Sequence, residues 1–269
     1  MDGNLLLLSV VVAIAASFLG VFIILRRLAL VSDVLSHVAL PGVALAMIAG
    51  VNPFIGAFVA LGAVTIIIFF LERRFALSID AIVGIAFTVA LAIGMILIPD
   101  EHAAEALFGD INSVTREDAL FGVALGGSLI MLTFALFKRF AHATFSKELS
   151  RDETVADGRA EFIFLIALAL AIALGIKVVG TLLMGALMIL PVVAAKNIAW
   201  SLKSMTAFAI ALGVFEMVAG VSLAGVYDIV PGAAIILIGG AVFVLSLIAR
   251  AVKSRGILAT KEKQKMLSR

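Results

Sequence analysis

The sequence predicts an all-α fold: a polytopic bundle of about nine membrane-spanning helices, with the amino terminus outside and the carboxyl terminus in the cytoplasm. Hydrophobic residues make up 64% of the 269 residues and charged residues only 14%. With a mean hydropathy of +1.25, this composition exceeds what one water-soluble core can use. Apolar runs recur from Leu5 to Ala249, and basic residues collect in alternate connections between them.

The apolar runs have the length and the pattern of helices. A hydrocarbon core about 30 Å thick needs about 20 apolar residues in a helix, whereas barrel strands would alternate every second residue. The first run, LLLLSVVVAIAASFLGVFIIL, is apolar on every face. The stretch 161–199 is either two spans or one bent or re-entrant segment, which would leave eight. The predicted spans are 5–25, 28–50, 54–71, 79–98, 119–137, 161–177, 178–199, 205–226 and 231–249.

The distribution of charge sets the orientation. With the amino terminus outside, 18 of the 20 basic residues fall in cytoplasmic segments, and Arg116 and Lys177 are the exceptions. Cytoplasmic connections of membrane proteins are enriched in Lys and Arg, so this orientation is favoured. The acidic residues left outside are Asp2, Asp100, Glu101, Glu105, Asp110, Glu117, Asp118 and Asp228.

The chain encodes no soluble domain. We expect one transmembrane domain at 1–250, with a cytoplasmic loop at about 138–160, and a basic cytoplasmic tail at 251–269. Without cysteine, any metal chemistry must use imidazole, carboxylate, hydroxyl or backbone oxygen. No G-x-x-x-x-G-K-[ST] phosphate loop occurs, so the chain is not expected to be an enzyme, and any ATP hydrolysis belongs to a partner.

The stretch VSDVLSHVALPG, residues 31–42, places two metal-ligating side chains in the second span. Asp33 and His37 are four residues apart, so in a helix they share a face with their Cβ atoms about 5–6 Å apart. One small cation could touch both. A charge at the membrane centre costs about 2.5–3.5 kcal/mol even on insertion scales, so something must compensate for it. An interfacial aspartate and a packing histidine would have the same spacing.

Pro41 and Gly42 predict a bend next to this pair. Proline removes the amide that would bond the carbonyl of His37, which leaves that carbonyl free beside the imidazole. We therefore expect a gate at Pro41 and Gly42, with a simple kink as the alternative. Gly42, Ala46 and Gly50 also form a ridge of small residues suited to close helix packing.

Two further acids are candidates for the same site. Glu216 lies in the middle of the span FAIALGVFEMVAGVSL, where an isolated carboxylate indicates a function and a partner. It is either a tentative third metal ligand or a carboxyl group that holds helices together. Asp228 lies at the outer mouth before Pro231 and is the weaker candidate, because it could attract cations without binding them.

Four segments carry motifs of one family, in the same order along the chain. They are RRLALVSDVLSHVALPGVALA (26–46), ALFGDINSVTREDAL (106–120), GTLLMGALMILPVVAA (180–195) and GVSLAGVYDIVPGAAIIL (220–237). Together they resemble the membrane subunits of ATP-binding-cassette (ABC) importers for zinc, manganese and iron.

The resemblance implies a homodimeric permease in a prokaryotic plasma (inner) membrane. Such a permease receives Zn, Mn or Fe from an extracytoplasmic binding protein, and two cytoplasmic ATPase subunits drive it. The ion is cargo rather than a permanently bound cofactor, the surroundings are membrane lipid, and no nucleic acid is expected. The resemblance assigns the pathway to Asp33 and His37, and a carboxylate with an imidazole suits these metals better than Ca or Mg.

The segment FSKELSRDETVADG, residues 145–158, resembles the element by which this family engages its ATPase. A short helix here would place Phe145 and Leu149 on one face, where they could insert into a groove of the partner. A solvated connector is the alternative. The candidate coupling residues are Phe145, Glu148, Leu149, Asp152 and Gly158.

Other classes of function remain open at this point. An ion-coupled secondary transporter would also contain buried acids and broken helices, and an ABC permease for a larger metal chelate would share the architecture. A membrane hydrolase is disfavoured, because His37, His102 and His142 fall in three different predicted locations.

Overall fold

The computed structural model is helical throughout its described regular elements, which confirms the all-α prediction. It describes residues 3–75, 78–98, 107, 114–149, 158–181 and 183–267.

The helices follow the predicted spans closely. They are α1 (Gly3–Leu25), α2 (Ala29–Val38), α3 (Leu40–Ile48), α4 (Pro53–Phe75), α5 (Ile79–Leu97), α6 (Arg116–Ala135), α7 (Phe137–Leu149), α8 (Gly158–Val179), α9 (Met184–Ile198), α10 (Leu202–Tyr227) and α11 (Pro231–Leu267).

Seven helices of the described chain are long and apolar enough to cross a membrane, when α2 and α3 count as one. Ala81–Leu97 and Met184–Ile198 are shorter apolar helices, so each of the nine predicted spans corresponds to a helix. The stretch 161–199 is two helices, because α8 ends before Gly180 at a φ of +85°. The 15 residues of α9 reach only about 22 Å, less than the hydrocarbon thickness.

Helix α1 forms the centre of the bundle. Of its most apolar stretch, 72% is buried inside the protein, against 22% for α4. It packs against α6, α8, α9 and α10. Small side chains allow this crowding, since Gly20 lies directly against the carbonyl of Met188 on α9.

The second span is broken where the proline motif predicts a bend. Helix α2 ends at Val38, and α3 begins at Leu40 with Pro41 in its first turn. The Ala39 amide is directed at the His37 carbonyl only two residues back, and the carbonyl left free by Pro41 stays a prediction. The chain forms a local turn in place of the missing helical bond.

The ridge of small residues packs α3 against α4. Gly42 lies against the backbone of Gly56, and the Ala46 Cβ stands 2.7 Å from where a Cβ on Gly56 would be. The packing prediction is confirmed for Gly42 and Ala46. It is wrong for Gly50, which adopts a φ of +65° just after α3 and has no atom within 4 Å of its Cβ position.

Helix α11 is longer than its predicted span. It continues past residue 249 to Leu267, for 37 residues or about 56 Å. The length beyond the membrane requirement of about 20 residues extends the helix into the basic tail.

Replacing Gly56 by valine should destabilise the protein, because the new side chain would collide with Gly42 and Ala46. Overpacking of this kind costs about 1–3 kcal/mol, so the midpoint of thermal unfolding in detergent should fall. The matched control is Gly62→Val on the same helix, where no atom lies within 4 Å of the added Cβ. Equal midpoints for the two variants would contradict the close crossing of α3 and α4.

Candidate functional site

Asp33 lies at a contact between α2 and α9. A Cβ added to Gly185 of α9 would come within 2.5 Å of both the Cα and the Oδ1 atom of Asp33. Only glycine permits this approach. The half-buried carboxylate therefore lies directly against the backbone of α9, one helical turn before His37.

His37 packs its ring edge against Phe87 of α5, with ring centroids 5.4 Å apart and an interplanar angle of 64°. Its Nδ1 atom is buried and has no hydrogen-bond partner in the described part of the chain. Buried polar atoms are nearly always bonded, so an unpaired imidazole nitrogen needs an explanation. A neutral imidazole nitrogen can serve as a metal ligand.

Asp33 and His37 of one chain are too few ligands for a metal ion by themselves. Among the described residues, no group of three or more His, Asp or Glu side chains could hold a metal ion. Zinc takes four ligands, and manganese or iron as a rule more. The remaining ligands must come from water, the backbone or another chain.

Glu216 lies elsewhere in the bundle. Its side chain on α10 is only 1% exposed, and its Oε2 atom is 2.9 Å from the Cβ position of Gly239 on α11. Leu190 of α9 borders the same position. Since Leu190 and Gly185 are about 140° apart around α9, Glu216 and Asp33 lie against different faces of that helix. The Oε1 atom has no described hydrogen-bond partner.

Asp228 has a local structural role. It is the C-cap of α10, with a left-handed φ of 53°, and its amide bonds the carbonyl of Ala224. Aspartate is one of the residues that tolerate this conformation. Its side chain is exposed and belongs to no group of three potential ligands in the described chain.

The predicted gate and coupling residues lie at two separate places. Pro41 is half-buried in the first turn of α3, and Gly42 is held against Gly56. In the predicted coupling element, Phe145 is 44% exposed on α7, and Gly158 begins α8. The backbone of α7 includes Glu148 and Leu149, whose side chains lie outside the description, and Asp152 lies outside the described residues. The functional roles of all these residues stay predictions.

Sequence reasoning missed two residues that shape the site. Gly185 gives α9 access to Asp33, and Phe87 packs on the imidazole of His37. A glycine in an apolar run was the only signal for the first. Phe87 gave no signal, because phenylalanine is an ordinary residue in an apolar span.

The chain is similar to known proteins over most of its length. The sequence model described as "ABC 3 transport family" matches residues 3–250. The high-affinity zinc uptake system membrane protein ZnuB of Haemophilus influenzae is 32% identical over 251 residues, covering 91% of this chain and 96% of that protein. The manganese import system permease protein ScaB of Streptococcus gordonii is 31% identical over 247 residues, covering 90% and 89%.

A solved structure is also similar over nearly the whole chain. The structure of PsaBC from Streptococcus pneumoniae in complex with Fab superposes with a TM-score of 0.78 at 31% sequence identity. The match covers 90% of this chain and 89% of that chain.

Replacing Glu216 by methionine should leave the thermal unfolding midpoint unchanged or raise it. The unpaired buried oxygen contributes no bond, and methionine keeps the length of the side chain. Glu216→Ala is the control, since leaving a cavity at this position should cost about 2–5 kcal/mol relative to methionine. A methionine variant as unstable as the alanine variant would reveal a partner for the carboxyl group and contradict this description.

Proposed function

We propose that this chain, which belongs to the ABC 3 transport family, carries its metal past Asp33 and His37. It is the membrane permease of an ABC importer for zinc, manganese or iron. ATP hydrolysis therefore belongs to a separate subunit of the bacterial importer. An ion-coupled secondary transporter is no longer the alternative.

The observation that carries the pathway proposal is the unpaired imidazole beside a carboxylate on a broken helix. The His37 Nδ1 atom is buried without a described bond, and Asp33 lies one turn away. A packing histidine would be expected to satisfy that nitrogen. A passing cation would supply the missing interaction and balance the charge of the carboxylate.

The site is completed by a second copy of the chain. Each chain offers one carboxylate and one imidazole, and two chains related by a twofold axis would offer four side chains to one ion. That number satisfies zinc outright and leaves room for water on manganese or iron. The ion is cargo, and we expect no permanently bound cofactor.

The break between α2 and α3 allows the pair to move. Gly42 fixes α3 against Gly56 of α4, while the chain turns at Ala39 before Pro41. A hinge at this turn would tilt α2, with His37 at its end, relative to the fixed α3. The gate therefore consists of the turn and Pro41, and Gly42 is its anchor.

The other two acids have supporting roles in this proposal. Glu216 of α10 lies against Gly239 of α11 and so holds these two helices in contact. It borders a different face of α9 from the one that Asp33 contacts. Asp228 ends α10 and contributes negative charge at the outer mouth. Neither acid binds the ion directly.

The importer partners follow from the family. A binding protein delivers the ion from outside, and two ATPase copies attach through the loop at 138–160. Of the candidate coupling residues, Phe145 is the one whose side chain is described, and it is 44% exposed on α7. The transmembrane domain 1–250 performs the transport, and the basic tail 251–269 lies in the cytoplasm.

Variants of the pair should lose transport in vesicles that contain the chain with its ATPase and binding protein. We expect Asp33→Ala and His37→Ala, singly and together, to lower ATP-dependent uptake of Zn, Mn and Fe. Removing a metal ligand should cost at least as much as removing a group that hydrogen-bonds to a ligand, which lowers metal affinity or activity about 10–100-fold. Parallel assays with the three metals would also identify the cargo.

Ser128→Ala is the matched control, because this exposed hydroxyl of α6 bonds only within its own helix, to the Leu125 carbonyl. Its uptake should stay within about twofold of the wild type. Wild-type uptake by the double variant, at normal expression and ATPase assembly, would refute the pathway.

A further inference from the structure

Arg26 occupies the connection between the central helix α1 and the helix that carries Asp33. The connection is short, since α1 ends at Leu25 and α2 begins at Ala29. It is closed by two backbone bonds, from the Arg27 amide to the Ile24 carbonyl at 3.3 Å and from the Leu28 amide to the Ile23 carbonyl at 2.9 Å. With Arg27 at a φ of 60°, these bonds form a Schellman motif. The turn is therefore rigid.

The Arg26 guanidinium contacts two helices, α7 and α8, that are distant from it in the sequence. Its Nε–H donates to the Thr144 Oγ1 atom of α7 at 3.1 Å. Its Cζ atom lies 4.2 Å from the ring centroid of Phe164 on α8, a cation–π geometry. The Thr144 hydroxyl is fixed in turn, because it donates to the Phe140 carbonyl at 2.7 Å.

These contacts lie within a packed aromatic cluster. The rings of Phe22 on α1, Phe140 on α7 and Phe164 on α8 follow one another at 5.5 and 5.6 Å, and all three are fully buried. Burial lowers the pKa of the Arg26 guanidinium, and the nearby Glu161 carboxylate raises it. Because the three rings are closely packed, a movement of α7 would press against neighbouring side chains rather than move into solvent.

One feature of Arg26 is not accounted for by a static anchoring role. Its second terminal nitrogen is buried without a hydrogen-bond partner in the described chain. A buried charged donor normally finds a partner, and leaving one unmade is unfavourable. The described chain thus leaves one donor of Arg26 available for a further partner.

We propose that Arg26 is a positioning residue that transmits movement of α7 to the α2 helix of Asp33 and His37. This inference rests on the proposed function, in which α7 leads into the ATPase contact and α2 carries the metal pathway. A movement of α7 would displace the Arg26 guanidinium, because the two are joined by the hydrogen bond to Thr144. The rigid turn between α1 and α2 would transmit this displacement to α2. Asp33 of α2 lies five residues, or about 7.5 Å, beyond Leu28.

The test measures metal ions transported per ATP hydrolysed by the assembled importer in vesicles. Arg26→Met keeps the length and apolar contacts of the side chain but removes its charge and donors. Thr144→Val keeps the shape of the side chain but removes the hydroxyl that accepts from Arg26 and donates to the Phe140 carbonyl. We expect each variant to bind metal and hydrolyse ATP, with the ratio lowered at least fivefold. The double variant should be no worse than Arg26→Met, because Thr144→Val removes a link that Arg26→Met has already broken.

Two further variants distinguish coupling from simple stability. Arg26→Lys keeps the charge over Phe164 and should retain more of the ratio than Arg26→Met. Arg74→Met removes an exposed basic side chain near the cytoplasmic end of α4 and should leave the ratio unchanged. The ratio does not depend on the amount of folded protein. If Arg26→Met fails to assemble, Thr144→Val carries the test with the arginine in place.

The outcomes separate this inference from the pathway proposal. Wild-type ratios in Arg26→Met and Thr144→Val, or ATP hydrolysis and transport that fall in proportion, would overturn the role of Arg26. The double variant Asp33→Ala with His37→Ala is measured alongside. If this double variant loses transport while the Arg26 and Thr144 variants behave like the wild type, the pathway proposal stands and only the role of Arg26 is refuted. Normal transport by the double variant would refute the pathway, whatever the Arg26 variants show.

Discussion

The absence of water in the hydrocarbon core is the constraint on which this structure depends. Every backbone amide and carbonyl must find a partner inside the protein, so spans are helices and a helix can be broken only where protein surrounds the break. The break between α2 and α3 obeys this rule. Ala39, where the chain turns between the two helices, is fully buried inside the protein. An interrupted helix can therefore place Asp33 and His37 inside the bundle.

Helix α9 organises the polar groups of the bundle, although its own sequence carries no acid. One face approaches Asp33 through Gly185, and another borders Glu216 through Leu190. The half-buried Asp33 and the buried Glu216 thereby lie apart, on different faces of α9. In the proposed function, a second chain supplies another acid and another imidazole, which would tie metal binding to assembly.

Much of this arrangement could be predicted from the sequence, because hydropathy, helical spacing and the placement of basic residues are local properties. They gave the spans and the shared face of Asp33 and His37. The contacts of Gly185 with Asp33 and of Arg26 with Thr144 could not be predicted, since they depend on how distant helices cross. The Arg26 bond joins residues 118 positions apart.

In the proposed pathway, the Asp33 and His37 side chains of two chains hold one cargo ion. X-ray absorption spectroscopy of the zinc-loaded importer, in the wild type and in a His37→Gln variant of the permease, tests it most directly. We expect one zinc ion per two permease chains, with imidazole nitrogen at about 2.0–2.1 Å, and the imidazole signal should disappear in the variant once zinc on the binding protein has been removed. An unchanged imidazole signal and zinc content in the variant would contradict the account.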